Sequence, residues 1–169
     1  QRALTVAKVM PHVGDSPATD DNWPSTDSIT VLFEISKTDQ NRVGCTRTAY
    51  CTYTDLCPVA AFLALRAMRG DNWKSNQPLL MDNSGWVVDR DFISALLKTA
   101  SVDLGGDPSD VSPHSLRIGG ATTAAATQRI DYEDIRRFGR WKSDCWKRYI
   151  YSARGRCRGL SIAMATAHF

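Results

Sequence analysis

The sequence predicts an α+β fold that is mostly helical and contains a small antiparallel β-hairpin. Two runs rich in β-branched and aromatic residues, 28–35 and a run that begins at residue 45, lie on either side of a polar break and predict the hairpin. Downstream, several segments carry apolar residues at helical spacing between helix-start and helix-stop residues. At 169 residues and 43% hydrophobic content, the chain can bury one sizeable core, so we expect a single domain, 1–169.

The helices are predicted from their ends and their apolar spacing. The first is expected to begin with Pro58 in its first turn and to stop at Gly70. The second covers about 90–102, and its buried face is expected to consist of Phe92, Ile93, Leu96 and Leu97. Residues 12–27 are rich in turn-forming residues and are expected to be the least structured stretch.

Three further helical segments follow. The Ala-rich segment 114–128 is predicted to be a helix entered through Pro113, in which Gly119 and Gly120 allow close approach of a neighbouring backbone. Asp131 is a suitable N-cap for a short helix that Gly139 ends. One further short helix is predicted over residues 144–151, and residues 159–169 are expected to be an apolar helix or tail.

Composition excludes several classes of protein. No apolar run reaches the roughly 20 residues that a membrane helix needs, and the first ten residues lack the pattern of a signal peptide, so we expect an intracellular protein with no membrane partner. Five cysteines without CxxC spacing indicate a reduced compartment rather than a disulfide framework or a zinc site. No metal and no cofactor are expected, and the five cysteines are interpreted as small apolar residues.

The positive charge is concentrated near the end of the chain. Although the whole chain carries only +3, residues 136–158 hold nine basic residues and one acid, a net charge of +8, while the rest holds twelve basic and seventeen acidic residues, a net charge of −5. Such a segment is typical of a protein that contacts DNA phosphates along one face, although a solvated surface explains charge alone equally well. The candidate DNA-binding residues are Arg136, Arg137, Arg140, Lys142, Lys147, Arg148, Arg154, Arg156 and Arg158.

Four separated pieces of sequence carry residues suited to phosphate chemistry. In chain order they are SKTDQ around Lys37, SPHSLRIGGAT with His114 and Arg117, GRW ending at Trp141, and KRYIY with Tyr149. This order resembles the tyrosine recombinase (phage integrase) pattern of Lys, His-x-x-Arg, His or Trp, and Tyr, and the wording is especially similar to recombinases of eukaryotic mobile elements. The resemblance implies the catalytic-domain fold of that family and a site-specific DNA recombination activity.

The chemistry explains why these residue types occur together. An anionic phosphodiester resists attack unless its non-bridging oxygens are neutralised, and the planar fork of Arg117 suits that task because it donates two parallel hydrogen bonds. His114 lies three residues earlier, on the same face of the predicted helix, and would donate a hydrogen bond or shuttle a proton. The resemblance implies that Lys37 protonates the leaving 5′-oxygen and that Trp141 donates its indole N–H to the phosphate.

Tyr149 is the expected nucleophile. A tyrosine hydroxyl has a pKa of about 10, and a cationic neighbourhood favours its ionised form. Attack on DNA would leave a 3′-phosphotyrosyl bond and a free 5′-hydroxyl, so that the strand can be rejoined without a cofactor. Tyr151 is the alternative, because on a helix it would point about 200° away and only one of the two could face the phosphate. The resemblance favours Tyr149, whose RYI wording and spacing from Arg117 match the family.

The sequence also departs from the family pattern. The first arginine of the pattern, with the acid that follows it, is not found before the hairpin, so we expect an amino-terminally truncated catalytic domain that is inactive on its own. The resemblance implies double-stranded DNA as partner, a tetramer on DNA and a nuclear location in a eukaryote. Residues 159–169 are expected to dock onto a neighbouring protomer of that tetramer, and packing of this tail against the core of its own chain is an equally supported alternative. Two alternatives stay open: a relative that binds DNA or protein without cutting, and a type IB topoisomerase.

Overall fold

The computed structural model describes residues 3–34, 44–127, 130–141 and 143–149, with the backbone alone of Tyr149. The chain divides into two units, Gln1–Val88 and Asp89–Phe169. Helices and a four-stranded antiparallel sheet are both present, so the α+β prediction is confirmed. The expectation that the whole chain is one domain stays a prediction. In the part of the chain that the structure describes, no helix is long and apolar enough to cross a membrane.

The first unit contains the sheet. Its strands lie in the order β2-β1-β3-β4 and all pairs are antiparallel; they are β1 (Val9–Val13), β2 (Ser16–Pro17), β3 (Ser28–Phe33) and β4 (Cys45–Tyr50). The two predicted strands are therefore confirmed as the pair β3 and β4. Across this pair the hydroxyls of Thr30 and Thr48 lie 2.9 Å apart, a cross-strand contact that supports the register. Residues 35–43, with the predicted turn and Lys37, lie outside the described residues.

Residues 12–27, which the sequence predicts to be the least structured stretch, contain regular secondary structure. His12 belongs to β1 and pairs with Ser28, β2 follows, and Trp23–Ser25 forms a 3-10 helix. The strand was missed because Pro11 lies in its middle. The carbonyl of Pro11 accepts a hydrogen bond from the N–H of Ala18 at 2.9 Å, and Ala18 lies just after the two-residue strand β2. The side of Pro11 that lacks an N–H therefore faces a position where the pairing with β2 has already ended.

Helix α1 (Pro58–Arg69) begins and ends as predicted and packs against the sheet. Its Val59 and Phe62 are buried with Val9 and Ile29, the central apolar contacts of this unit. The Phe62 ring also contacts two indoles, with centroid distances of 5.6 Å to Trp23 and 5.5 Å to Trp73. Large aromatic rings that lose solvent contact in this way stabilise a small unit through their buried apolar area.

Arg69, the last residue of α1, is a buried cation with only 2% of its surface exposed. Its guanidinium donates to the carbonyls of Asn72 (2.9 Å), Pro78 (2.8 Å) and Leu79 (3.1 Å) and to the Gln77 side chain at 2.7 Å. None of the ion pairs between described residues includes Arg69. Arg69 therefore fixes the chain after α1 through backbone carbonyls, not through a counter-charge.

Replacing Arg69 by Ala is expected to lower the free energy of unfolding by about 3 kcal/mol or more, because buried carbonyls lose their donor. Arg66→Ala is the matched control. Arg66 stacks over Trp23 at 3.6 Å and pairs with the exposed Asp20 at 3.4 Å, so its loss should cost about 1 kcal/mol or less. Urea unfolding of both variants measures the difference, and equal losses would show that Arg69 does not hold this segment.

The second unit is helical. It contains α2 (Arg90–Asp103), α3 (Pro113–Ala126), α4 (Tyr132–Phe138) and the 3-10 helix Asp144–Tyr149. All four predicted helices exist, but the predicted buried face of α2 is wrong in part. Phe92 and Leu96 are exposed, 43% and 55%, because periodicity shows which residues share a face and not what covers that face. The buried cluster of this unit consists of Ala121, Ala125, Ile135 and Trp146.

Candidate functional site

The start of α3 positions two of the predicted site residues. Pro113 occupies the first helical position, and the N–H of Ser112 donates to the Ser115 hydroxyl at 3.0 Å, the return contact of a capping box. His114 and Arg117 are both exposed and lie three residues apart in the first turns of this helix, as predicted. Residues at this spacing share one helix face, so one anion can reach both side chains.

Arg117 is held from two sides by the segment that follows α4. Its guanidinium carbon lies 4.3 Å from the centroid of the Trp141 ring, a cation–π stack, and one of its nitrogens donates to the Gly139 carbonyl at 2.5 Å. None of the ion pairs between described residues includes Arg117. Arg117 is thus oriented by an aromatic ring and a neutral carbonyl, which leaves its full positive charge for an external anion.

The turn after α4 explains how Trp141 reaches Arg117. The N–H groups of Arg140 and Trp141 donate to the carbonyls of Arg137 (3.1 Å) and Arg136 (3.0 Å), which is the hydrogen-bond pattern of a Schellman motif. The left-handed position of that motif, with φ 59°, is occupied by Arg140 and not by the glycine before it. We call this segment, residues 139–141, the GRW turn.

Gly139 has a second function besides the predicted one. The sequence indicated only that it ends α4, and it is indeed the C-cap residue, with φ −74°. However, the Trp141 ring lies directly over its Cα, and a Cβ on Gly139 would stand 1.4 Å from Cζ3 of that ring. A side chain at 139 and the observed position of Trp141 exclude each other. The signal in the sequence was the G-x-W spacing beside a predicted helix end.

Tyr149 is the last residue of the 3-10 helix Asp144–Tyr149. This helix is anchored by Trp146, which is 2% exposed, packs against Ala121 and Ala125 of α3, and contacts the Tyr132 ring at a centroid distance of 5.5 Å. The backbone of Tyr149, the predicted nucleophile, therefore lies three residues after Trp146, whose indole is buried against α3, the helix that also carries Arg117. The Tyr149 side chain lies outside the described residues, as does Tyr151.

Acidic neighbours partly neutralise the basic segment. Arg136 makes a two-pronged contact with Glu133, at 2.8 and 2.6 Å, and Arg137 reaches the same carboxylate at 3.3 Å. The hydrogen bond with Arg136 lowers the pKa of Glu133 below its ordinary value and raises the pKa of Arg136. Lys147 donates to Asp144 at 2.8 Å and lowers the pKa of that carboxyl. Among the described residues, Arg136, Arg137 and Lys147 therefore have carboxylate partners within the chain.

Of the remaining candidates, Arg140 lies in the GRW turn and Arg148 is exposed near the end of the 3-10 helix. The structure thus brings Arg117 and Trp141 into contact and places His114 on the same helix as Arg117. Four other candidate DNA-binding residues and the predicted general acid lie outside the described residues, as does the predicted tail 159–169; these residues are Lys142, Arg154, Arg156, Arg158 and Lys37.

Comparison of the chain with protein-family models, with curated proteins and with solved structures finds no match.

Proposed function

We propose that this chain is the catalytic part of a tyrosine recombinase, which cleaves and rejoins DNA through a 3′-phosphotyrosyl intermediate at Tyr149. The proposal includes the catalytic-domain fold of that family, double-stranded DNA as substrate and a tetramer on DNA. It also includes an intracellular location, which in a eukaryote is the nucleus. It rests on the order of the four sequence pieces and on the geometry of the second unit, 89–169.

The observation that carries the proposal is the seat of Arg117. A surface arginine that served only solubility would need no stacked indole and no backbone acceptor, whereas a phosphate clamp gains from both. Fixing the guanidinium before the substrate arrives avoids the entropy cost of ordering a long side chain. Because the ring and the Gly139 carbonyl carry no net charge, the cation keeps its attraction for a phosphate.

The chemical sequence assigned to this site is an in-line displacement. The Tyr149 oxygen attacks phosphorus, while Arg117 stabilises the charge that develops on the non-bridging oxygens, assisted by His114 and by the indole N–H of Trp141. The 5′-oxygen leaves with a proton from Lys37. Rejoining is the reverse reaction with the 5′-hydroxyl of a second strand, so the energy of the phosphodiester bond is conserved in the covalent intermediate.

Arg140 permits a test of DNA binding that is separate from folding. Glycine adopts the left-handed conformation of Arg140 at no steric cost, so Arg140→Gly is expected to keep the turn after α4 folded. The same change removes one phosphate contact, so the slope of log binding constant against log salt should become shallower by about 1. Fluorescence anisotropy with duplex DNA over a salt series measures that slope.

Arg90→Gln is the control for this experiment, because it removes an equal charge from the first residue of α2, outside the basic segment. We expect its slope to match that of the unmodified chain. A slope that Arg140→Gly leaves unchanged would separate the GRW turn from the DNA interface. Salt-dependent binding without any strand cleavage in the full gene product would instead support a relative that binds DNA without cutting it.

A further inference from the structure

Two cysteines of the first unit lie in contact where β4 leads into α1. Cys51 directly follows β4, Cys57 is the N-cap residue of α1, and their Sγ atoms are 3.5 Å apart. Cys57 is 5% exposed, whereas Cys51 is half-buried. The Cys51 N–H donates to the Asp27 carbonyl at 2.7 Å, which fixes the backbone of Cys51 beside the sheet. The two sulfur atoms are therefore already in contact, and Cys51 is the more accessible of the two cysteines.

The sulfur of Cys57 occupies a position where a negative charge is stabilised. It accepts hydrogen bonds from the N–H groups of Ala60 and Thr52, each at 3.4 Å, at the positive end of a twelve-residue helix. These bonds, that of Ala60 first, lower the pKa of the Cys57 thiol to about 6. An ordinary N-cap residue supplies an oxygen, and a sulfur in its place adds a nucleophile to the cap.

The loop between the two cysteines, 52–56, is loosely held. Tyr53 adopts a left-handed conformation with φ 54°, and the side chains of Tyr53 and Leu56 are 90% and 92% exposed. The hydroxyls of Thr52 and Thr54 contact each other at 2.9 Å within the loop. A disulfide requires the two sulfurs to approach to about 2.05 Å, and a surface loop with few packing contacts can absorb a shift of that size.

We propose that Cys51 and Cys57 form a reversible redox pair that exchanges with a small disulfide and closes the loop 52–56. The Cys51 thiolate attacks one sulfur of the small disulfide and expels one small thiolate. The Cys57 thiolate then attacks Cys51 Sγ of the mixed disulfide and expels the second. The protein pair loses two electrons as its S–S bond forms, and the small disulfide is reduced to two thiols, which take up the protons released by the cysteines.

The surroundings of Cys57 make this disulfide easily reduced. Hydrogen bonds that stabilise the thiolate stabilise the reduced protein, and a thiol of low pKa is also a good leaving group when an external thiol attacks Cys51. The pair is therefore reduced in an ordinary cytosol and oxidises under oxidative challenge, as sensing disulfides do. This inference uses the first unit alone and does not depend on the proposed function.

The test equilibrates the whole chain with oxidised and reduced glutathione over a series of ratios, followed by acid quenching, alkylation and peptide mass mapping. We expect a peptide pair linked through Cys51 and Cys57 to be the first intramolecular disulfide to form, and excess reduced glutathione to reverse it. Cys45→Ser and Cys145→Ser, which alter a half-buried and an exposed thiol elsewhere, should leave that link unchanged.

Cys57→Ser keeps a capping side chain at the start of α1, so the variant should fold and yet form only the mixed glutathione disulfide at Cys51. Cys51→Ala should prevent the link without affecting the cap. Two results would overturn the proposal: the folded chain forms no link while the urea-unfolded chain does, or Cys51 and Cys57 each pair with other cysteines before pairing with one another.

Discussion

Replacing Tyr149 by Phe in the full gene product is expected to abolish the covalent protein–DNA complex formed with a suicide substrate. Such a substrate loses its 5′-hydroxyl fragment by diffusion, so the first displacement cannot be reversed and the intermediate accumulates. Phenylalanine keeps the ring and removes only the nucleophilic oxygen. The variant should still bind the same DNA with a similar salt dependence, which gel shift and denaturing electrophoresis measure on the same samples.

Tyr151→Phe is the matched control for this change, because it removes the same atom two residues further along the chain. It should form the complex at a rate near that of the unmodified protein. The reverse pattern, a complex that survives Tyr149→Phe and disappears with Tyr151→Phe, would transfer the nucleophile to Tyr151.

The second large effect is expected from one added methyl group. In Gly139→Ala, a Cβ would stand 1.4 Å from the Trp141 ring, so the indole must leave its observed position. Arg117 then loses its stacking partner at 4.3 Å, and its hydrogen-bond acceptor at residue 139 shifts with the turn. We expect DNA cleavage to slow by at least about 100-fold, comparable to Arg117→Ala, because an oriented cation on the reacting phosphate contributes about that much.

Gly119→Ala is the control for the added methyl. No described residue lies within 4 Å of a Cβ at Gly119 or Gly120, so the predicted close approach of a neighbouring backbone is wrong among the described residues. Because alanine is favoured over glycine inside a helix, Gly119→Ala should be as active and at least as stable. Near-ultraviolet circular dichroism reports the displaced indole of Gly139→Ala independently of activity. Full cleavage activity in Gly139→Ala, with the indole signal changed, would show that Arg117 does not need the GRW turn.

The parts of the fold that the sequence predicts are those set by local preference. The strands β3 and β4 are rich in β-branched residues, and α1 has proline at its start and glycine after its end. The sequence therefore locates all three elements correctly. Strand β1 could not be located in this way. Pro11 is tolerated in this strand because β2 ends before it reaches the missing N–H, and this pairing is visible only in the folded structure.

The site shows the same division. The spacing of His114 and Arg117 was enough to place both on one helix. The seat of Arg117 was not predictable, because the usual rule gives the left-handed residue of a helix end to glycine, whereas here Gly139 makes room for a ring and Arg140 takes the strained position. The contact of Cys51 with Cys57 was likewise hidden, since a spacing of six residues matches no redox motif.

The most direct test of the proposed function is chemical identification of the residue joined to DNA. The unmodified gene product is trapped on a suicide duplex, digested with protease and nuclease, and the nucleotide-bearing peptide is sequenced by mass spectrometry. We expect a single linked residue, Tyr149, joined to the 3′-phosphate of the cleaved strand, with the other fragment ending in a 5′-hydroxyl. A link to any other residue, a link to a 5′-phosphate, or tight DNA binding that never yields a linked peptide would contradict it.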